Sequence, residues 1–268
     1  RAVFYEGAEA LGESLSALIG VGDQDTLTLT ENAQPALMAT SMAAMRALEA
    51  EGIGIERADY VAGHSLGEYS ALCAAGVFSV ADTARLLRTR GRAMQEAVPV
   101  GVGAMAAVLG LDFQAVTEVA EEAAEGELCQ VANDNDPGQV VVSGHKAAVE
   151  RACEIAKGRG AKRALLLPVS APFHWALMDP AAEALKEALA GVEMKAPAVP
   201  VFTNVRAAEE SDPLVLRGLL VKQVTGVVRW RDSVVHMAGW DAGEMWDIGA
   251  GKALSGMIRR INRDVLTR

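Results

Sequence analysis

Apolar residues recur at three- and four-residue spacing through most of the chain, broken by short continuous apolar runs. Alternation between these two patterns predicts helices interleaved with buried strands, and so an α/β protein. Val3, Phe4, Leu11, Leu15 and Leu18 predict a helix over residues 1–20, and Asp23 to Thr30 reads as a polar turn. A long helix is predicted from Gln34 to Glu51, with Pro35 in its first turn, where a missing N–H does no harm, and Gly52 and Gly54 as its stop. Tyr60 to Gly63 reads as a short buried strand. A helix over Leu66 to Ala75 follows almost without a linker, and another spans Val80 to Ala97.

From Gly103 to Leu167 the rhythm changes. Strands are predicted at Ala104 to Leu109, Leu128 to Ala132, Gln139 to Ser143 and Ala164 to Leu167. Helices at Phe113 to Ala124 and His145 to Lys157 separate them, with a turn over Asp134 to Gly138. That β-α-β-β-α-β order is the ferredoxin-like signature, and the stretch is long enough to be a small domain inserted in a larger one. Beyond it the pattern predicts helices at Asp179 to Ala190, Pro213 to Val224, Trp230 to Trp240 and Gly251 to Asn262. Strands are predicted at Val199 to Asn204 and Glu244 to Ile248.

Composition narrows the function classes. With 268 residues and 51% hydrophobic content the chain can bury a sizeable core. A formal net charge of −10, without a basic run longer than a doublet, argues against nucleic-acid binding. No apolar run is long enough for a membrane span and no signal sequence opens the chain, so a cytoplasmic protein is expected. Cys73, Cys129 and Cys153 lack metal-ligand spacing and read as buried thiols of a reducing compartment. The four histidines share no ligand spacing either, so neither a metal nor a cofactor is expected.

Chemistry concentrates at Gly63-His64-Ser65-Leu66-Gly67. The G-x-S-x-G spacing between a strand and a helix is that of a nucleophile elbow, in which glycines let strand and helix approach while the serine hydroxyl stays exposed. The helix begins at the serine, so the N–H of Leu66 is a candidate oxyanion donor. Without chemistry, the same residues would be a glycine-rich turn. A serine nucleophile needs a base. His145 reads as a surface residue near a helix cap and His236 as half-buried in an amphipathic helix. His174, in a proline-anchored loop, best suits delivery to a site, and His236 stays open as the alternative. On the helix from Val80, Arg85, Arg88 and Arg92 group together as solvated charges. Arg90 shares its side with Leu86, Leu87 and Ala93 and would need a carboxylate partner from the protein or a ligand.

Taken in order, Gly63-His64-Ser65-Leu66-Gly67-Glu68, Arg90-Gly91, Ser170-Ala171-Pro172-Phe173-His174, Gln223, Val228-Arg229-Trp230 and Ile248-Gly249-Ala250-Gly251-Lys252 resemble the malonyl-CoA:acyl-carrier-protein transacylase family over essentially the whole chain. The resemblance implies an α/β-hydrolase-like large domain over 1–102 and 168–268, with a ferredoxin-like small domain over 103–167. It implies Ser65 as nucleophile, His174 as base and later acid, and the backbone carbonyl of Gln223 in place of a triad aspartate. Arg90 becomes the clamp on the substrate's free carboxylate. Gln34 and Asn133 become further substrate-side contacts. The implied activity is malonyl transfer from malonyl-CoA to the phosphopantetheine thiol of acyl carrier protein in fatty acid biosynthesis, by a monomer. A serine esterase or thioesterase and a catalytically silent carrier-binding relative are the rivals.

Two departures from that family bear on the site. Its members begin with a strand and a Gly-Gln-Gly-Ser-type loop that supplies a second oxyanion donor. This chain starts after that point, so a longer functional chain is expected. Trp175 follows His174, where the family commonly has a small residue, and is expected to narrow the mouth of the site or to alter carrier-protein docking. A basic patch for an acidic carrier protein is expected from Lys157, Arg159, Lys162 and Arg163, or from Lys252, Arg259 and Arg260.

Overall fold

Helices carry most of the first hundred residues, as the three- and four-residue spacing requires. The computed structural model describes residues 2–99, 101–169, 172–240 and 242–268. Its elements run α1 (Ala2–Leu11), α2 (Leu15–Val21), α3 (Gln24–Thr28), α4 (Thr30–Ala50), β1 (Val61–Ala62), α5 (Leu66–Ala74) and α6 (Val80–Ala97). Then come β2 (Gly103–Leu109), α7 (Phe113–Ala124), β3 (Cys129–Asp136), β4 (Gln139–His145), α8 (Lys146–Gly158) and β5 (Arg163–Leu166). The chain closes with α9 (Asp179–Ala190), β6 (Val201–Thr203), β7 (Ala208–Glu210), α10 (Pro213–Gln223), α11 (Trp230–Gly239), β8 (Glu244–Met245), α12 (Ala253–Ile261) and β9 (Leu266–Thr267).

Three sheets organise these elements. β1 pairs parallel with β6, and β7 continues that sheet antiparallel. The second sheet is antiparallel with order β3-β4-β2-β5, and α7 and α8 pack on it over Val108, Val116, Val119, Val142 and Val149. β8 and β9 form a short parallel pair. A separate helical core gathers Met38, Met42, Leu72, Leu86, Leu87, Leu185 and Leu220 around α5, from the helices on either side. Burial of such side chains contributes about 1.5–3 kcal/mol each, which holds α5 in place behind the elbow.

The structure departs from the sequence pattern where long-range partners outweigh local preference. Residues 24–28 form α3 and not a turn, because the Asp23 side chain caps it by accepting from the Thr26 N–H at 3.0 Å. α4 starts at Thr30, which moves Pro35 into its second turn. Asp134 to Asp136 were expected in a turn, yet with Asn133 they extend β3, with register shifts on either side of Asn133 and Asp134. Their polar side chains are buried against partners far along the chain. Asp134 pairs with Arg231 at 3.0 Å, Asp136 with Arg260 at 2.7 Å, and Asn135 with His64 at 2.8 Å. β3 also exchanges backbone bonds with the segment before α11, Asp134 N–H to Val228 O and Val228 N–H to Ala132 O, each 2.9 Å. This strand fastens the four-stranded sheet to the rest of the molecule.

Candidate acyl-transfer site

Ser65 occupies the turn between β1 and α5 with φ 52° and ψ −110°, a conformation that L residues rarely adopt. Gly63 makes the turn possible. A Cβ there would lie 1.9 Å from the Gly67 carbonyl oxygen, whereas a Cβ on Gly67 would meet nothing within 4 Å. The close approach therefore depends on one glycine of the pair. Asn204, just past β6, fastens the turn from below. Its amide donates to Gly63 O at 2.7 Å and its Oδ1 accepts from the Ser65 N–H at 2.7 Å. Leu66 opens α5, so its N–H belongs to the first turn and has no acceptor within the helix.

His174 reaches this serine from the loop between β5 and α9. Ser170 and Ala171 of that stretch lie outside the described residues. His174 itself has φ 57°. Its Nε2 lies 2.8 Å from Ser65 Oγ, and its Nδ1 lies 2.8 Å from the backbone oxygen of Gln223 at the end of α10. A carbonyl accepts only, so Nδ1 carries the proton and Nε2 is left free to accept one from Ser65. Burial and the Arg90 charge push the imidazole down to about 3, so it is neutral at physiological pH.

Arg90 joins the same cluster from α6. Gly91 allows the approach, because a Cβ there would stand 2.5 Å from the Glu31 Cα of α4. Arg90 as a whole is only 2% exposed. Its Nη1 donates to Gln34 Oε1 at 2.6 Å, and its Nη2 donates to Ser65 Oγ and to Gln223 Oε1, each at 3.0 Å. The ring of Tyr69 lies beneath it, 5.6 Å from centroid to Cζ. Burial pushes the guanidinium downward from its ordinary value, and nearby Glu68 opposes that shift. The three acceptors are all neutral, which leaves a fixed cation beside a nucleophilic serine.

Five of the sequence-predicted residues, Ser65, His174, Gln223, Arg90 and Gln34, are thus joined by hydrogen bonds, with Leu66 adjoining the serine. Asn133 sits in β3, pairs with Val141 and bridges to Val228, and none of the described hydrogen bonds links it to Ser65, His174 or Arg90. Trp175 does not narrow the mouth. Its side chain is fully buried in the helical core, because the extended backbone after His174 turns the indole inward. Arg88, expected in solvent with Arg85 and Arg92, is buried and held by Asn32 and Glu13. His236 is exposed, with Nδ1 2.6 Å from Ala207 O, and has no acid beside it among the described residues. In the expected basic patch, Lys157 pairs with Glu154, Arg159 with Glu118 and Glu122, and Arg260 with Asp136. Sequence reasoning missed Asn204 and gave Glu68 no role; the one clue was that Glu68 closes the elbow motif.

A serine with a neutral histidine base, a helix N-terminus at its back and a cation at its side can attack an acyl carbonyl and hold an anionic acyl group. This is the equipment of acyl transfer through an acyl-serine. A family model described as "Acyl transferase domain" matches residues 6–248, and the chain belongs to that family. It is 48% identical over 258 residues to the malonyl CoA-acyl carrier protein transacylase of Escherichia coli K12, covering 96% of this chain and 83% of that one. Among solved structures, the acyl-carrier-protein-S-malonyltransferase of Bartonella henselae superposes with a TM-score of 0.97 at 57% identity, over 100% of this chain and 85% of that one. A malonyl-transacylase solved in complex with its type II PKS acyl-carrier protein gives 0.96 at 42% identity, over 99% and 85%. Among the described residues no helix is long and apolar enough to cross a membrane.

Proposed function

We propose that this chain transfers the malonyl group of malonyl-CoA to the phosphopantetheine thiol of acyl carrier protein, in fatty acid biosynthesis, through a malonyl ester on Ser65. Ser65 Oγ attacks the thioester carbonyl while His174 Nε2 takes its proton, and the oxyanion rests on the Leu66 N–H. The tetrahedral species expels CoA thiolate, which takes the proton from His174. The carrier thiol then gives its proton to His174 and attacks the ester carbonyl, and Ser65 leaves with that proton. The carbonyl of Gln223 keeps the imidazole in the tautomer both halves require. The observation that carries the reading is Arg90, a buried guanidinium whose partners are neutral and whose Nη2 lies 3.0 Å from Ser65 Oγ. A malonyl carboxylate supplies an anion in direct contact, which Glu68, bonded to Gln223 and the Asn204 N–H, does not, and Gln34 holds the guanidinium for it. In the silent-relative reading, nothing calls for a nucleophile and base at 2.8 Å. The hydrolase reading loses its alternative base with the exposure of His236.

The same reading divides the chain into an α/β-hydrolase-like large domain, 1–102 and 168–268, and a ferredoxin-like small domain, 103–167. The strand order β3-β4-β2-β5 and the strand-elbow-helix unit around Ser65 support it. Buried Cys73, Cys129 and Cys153, all unpaired, fit a cytoplasmic setting. Asn133 keeps at most a place along the approach of the pantetheine arm.

Brief mixing with malonyl-CoA followed by peptide mapping tests the proposal. A malonyl adduct on the Ser65 peptide that moves to added carrier protein is expected. Steady release of free malonate instead would favour a hydrolase, and no adduct a silent relative. Ser65→Ala should form none, and His174→Ala should acylate about 10²- to 10⁴-fold more slowly.

A further inference from the structure

We infer that Glu68 is a positioning residue of this site, whose buried carboxylate holds the Gln223 side chain and the Asn204 backbone and, through them, the His174 imidazole and the Ser65 elbow. Glu68 is 1% exposed and lies one turn along α5 from Ser65. Its Oε2 accepts from Gln223 Nε2 at 2.7 Å and from the Asn204 N–H at 3.1 Å. Each of these partners touches the reacting pair. Gln223 gives its backbone oxygen to His174, and Asn204 ties down both the Ser65 N–H and the Gly63 oxygen.

The orientation of the Gln223 amide follows from its neighbours. Arg90 only donates, so the amide atom facing it is oxygen; the nitrogen then faces Ser65 O at 3.0 Å and Glu68. A side chain at 68 without an acceptor would leave the Asn204 N–H unpaired and the amide with only Ser65 O and the more distant Asn204 Oδ1, at 3.0 and 3.4 Å. An apolar residue of similar volume would also be less costly to bury than this carboxylate. That cost is visible in its titration, because burial pushes Glu68 up to about 7 even though Gln223, Asn204 and Arg90 all pull it down. The usual carboxylate of a serine–histidine site touches the histidine; here the buried acid stands one residue behind it and acts through an amide and a main chain.

The inference rests on the reading that Ser65 is the nucleophile, and its test separates reach from charge. Glu68→Gln keeps an acceptor oxygen at the same reach, Glu68→Asp keeps the charge but withdraws it by one methylene, and Glu68→Ala removes both. Two rates are measured for each: malonyl transfer to holo acyl carrier protein, and labelling of Ser65 by a fluorophosphonate. We expect Glu68→Asp and Glu68→Ala to lower kcat and the labelling rate about 10- to 100-fold, the scale of a misplacement near 1 Å, while KM for malonyl-CoA stays within about twofold. Glu68→Gln should rescue both rates to within about threefold of wild type, as both donors regain an acceptor. Wild-type rates in Glu68→Asp, a loss in Glu68→Gln as deep as in Glu68→Asp, or KM rising in step with the fall in kcat would each overturn the inference. If Glu68→Ala does not fold, the order of the Gln and Asp variants still decides. Wild-type protein that reacts with the fluorophosphonate but transfers no malonyl group would defeat the proposed function, and the labelling rates would still judge Glu68.

Discussion

Replacing Arg90 by Met should change which acyl group the site accepts more than how fast Ser65 reacts. The substitution keeps an unbranched apolar stem on the side of α6 that also carries Leu86, Leu87 and Met94, and removes a guanidinium that makes three hydrogen bonds to neutral acceptors. A malonyl carboxylate can take two charge-assisted bonds from the guanidinium, each contributing about 1.5–3 kcal/mol. Binding it means giving up the Ser65 and Gln223 bonds of Nη2, bonds from a cation to neutral oxygens at the low end of that range, about 1.5 kcal/mol apiece. Two carboxylate bonds at about 2–3 kcal/mol each then leave malonyl a net advantage over acetyl of about 1–3 kcal/mol, or roughly 5- to 150-fold at 1.4 kcal/mol per decade.

The measurement is acylation of Ser65 by malonyl-CoA and by acetyl-CoA, each as kcat/KM, in wild type and Arg90→Met. The ratio should fall by about that factor, with most of the loss on the malonyl side. Arg90→Lys should lie between, since an ammonium keeps the charge but not the planar fork. A ratio unchanged in Arg90→Met would return Arg90 to a structural role and remove the observation on which the malonyl assignment depends. Equal losses for both acyl groups would instead mean that Arg90 acts through its 3.0 Å bond to Ser65 Oγ.

Gly63→Ala should abolish labelling of Ser65 and destabilise the fold by about 1–3 kcal/mol or more, read as a shift in the denaturant midpoint, because its Cβ would enter the Gly67 carbonyl. A variant that folds and labels normally would refute the close approach. The two buried titrating groups should have opposite pH signatures. His174 is held near 3 in the folded protein against an ordinary 6.5, so its contribution to stability is full above 6.5 and fades as pH falls toward 3. Glu68 is held near 7 against an ordinary 4.5, so its contribution is full below 4.5 and is lost as pH rises through 7. Wild-type-minus-variant stability curves for His174→Asn and Glu68→Gln should therefore slope in opposite directions, and slopes of the same sign would contradict the burial argument. Transfer to carrier protein should weaken with salt more than acylation by CoA does, since exposed charges are screened within about 10 Å at 0.1 M. Lys162, Arg163 and Lys252 make none of the described ion pairs and are the residues to neutralise first; equal salt sensitivity of both half-reactions would count against the patch.

What could be read from the sequence was what is encoded locally. The apolar spacing of Phe113–Ala124 and Asp179–Ala190 matches the observed helices to the residue, because each buries one continuous stripe. The elbow was legible because strand, glycine, serine and helix are adjacent in the chain. Asp134 to Asp136 failed because a polar tripeptide looks like a turn unless Arg231, His64 and Arg260 are known to await it. Arg88 failed for the same reason, its partners lying 56 and 75 residues away.

Gln223 shows the limit most clearly. Its role toward His174 uses a backbone carbonyl, which every residue possesses, so that role places no constraint on the residue type. The side chain does, because it must offer an acceptor to Arg90 and a donor to both Ser65 O and Glu68. Glutamate at 223 would set a second carboxylate against Glu68, and leucine would leave Arg90 and Glu68 each short of a partner. An amide of this reach satisfies both sides. The identity of the residue that orients the histidine is therefore decided by Arg90 and Glu68, more than 130 residues earlier in the chain, and becomes readable only once those two are seen on either side of it.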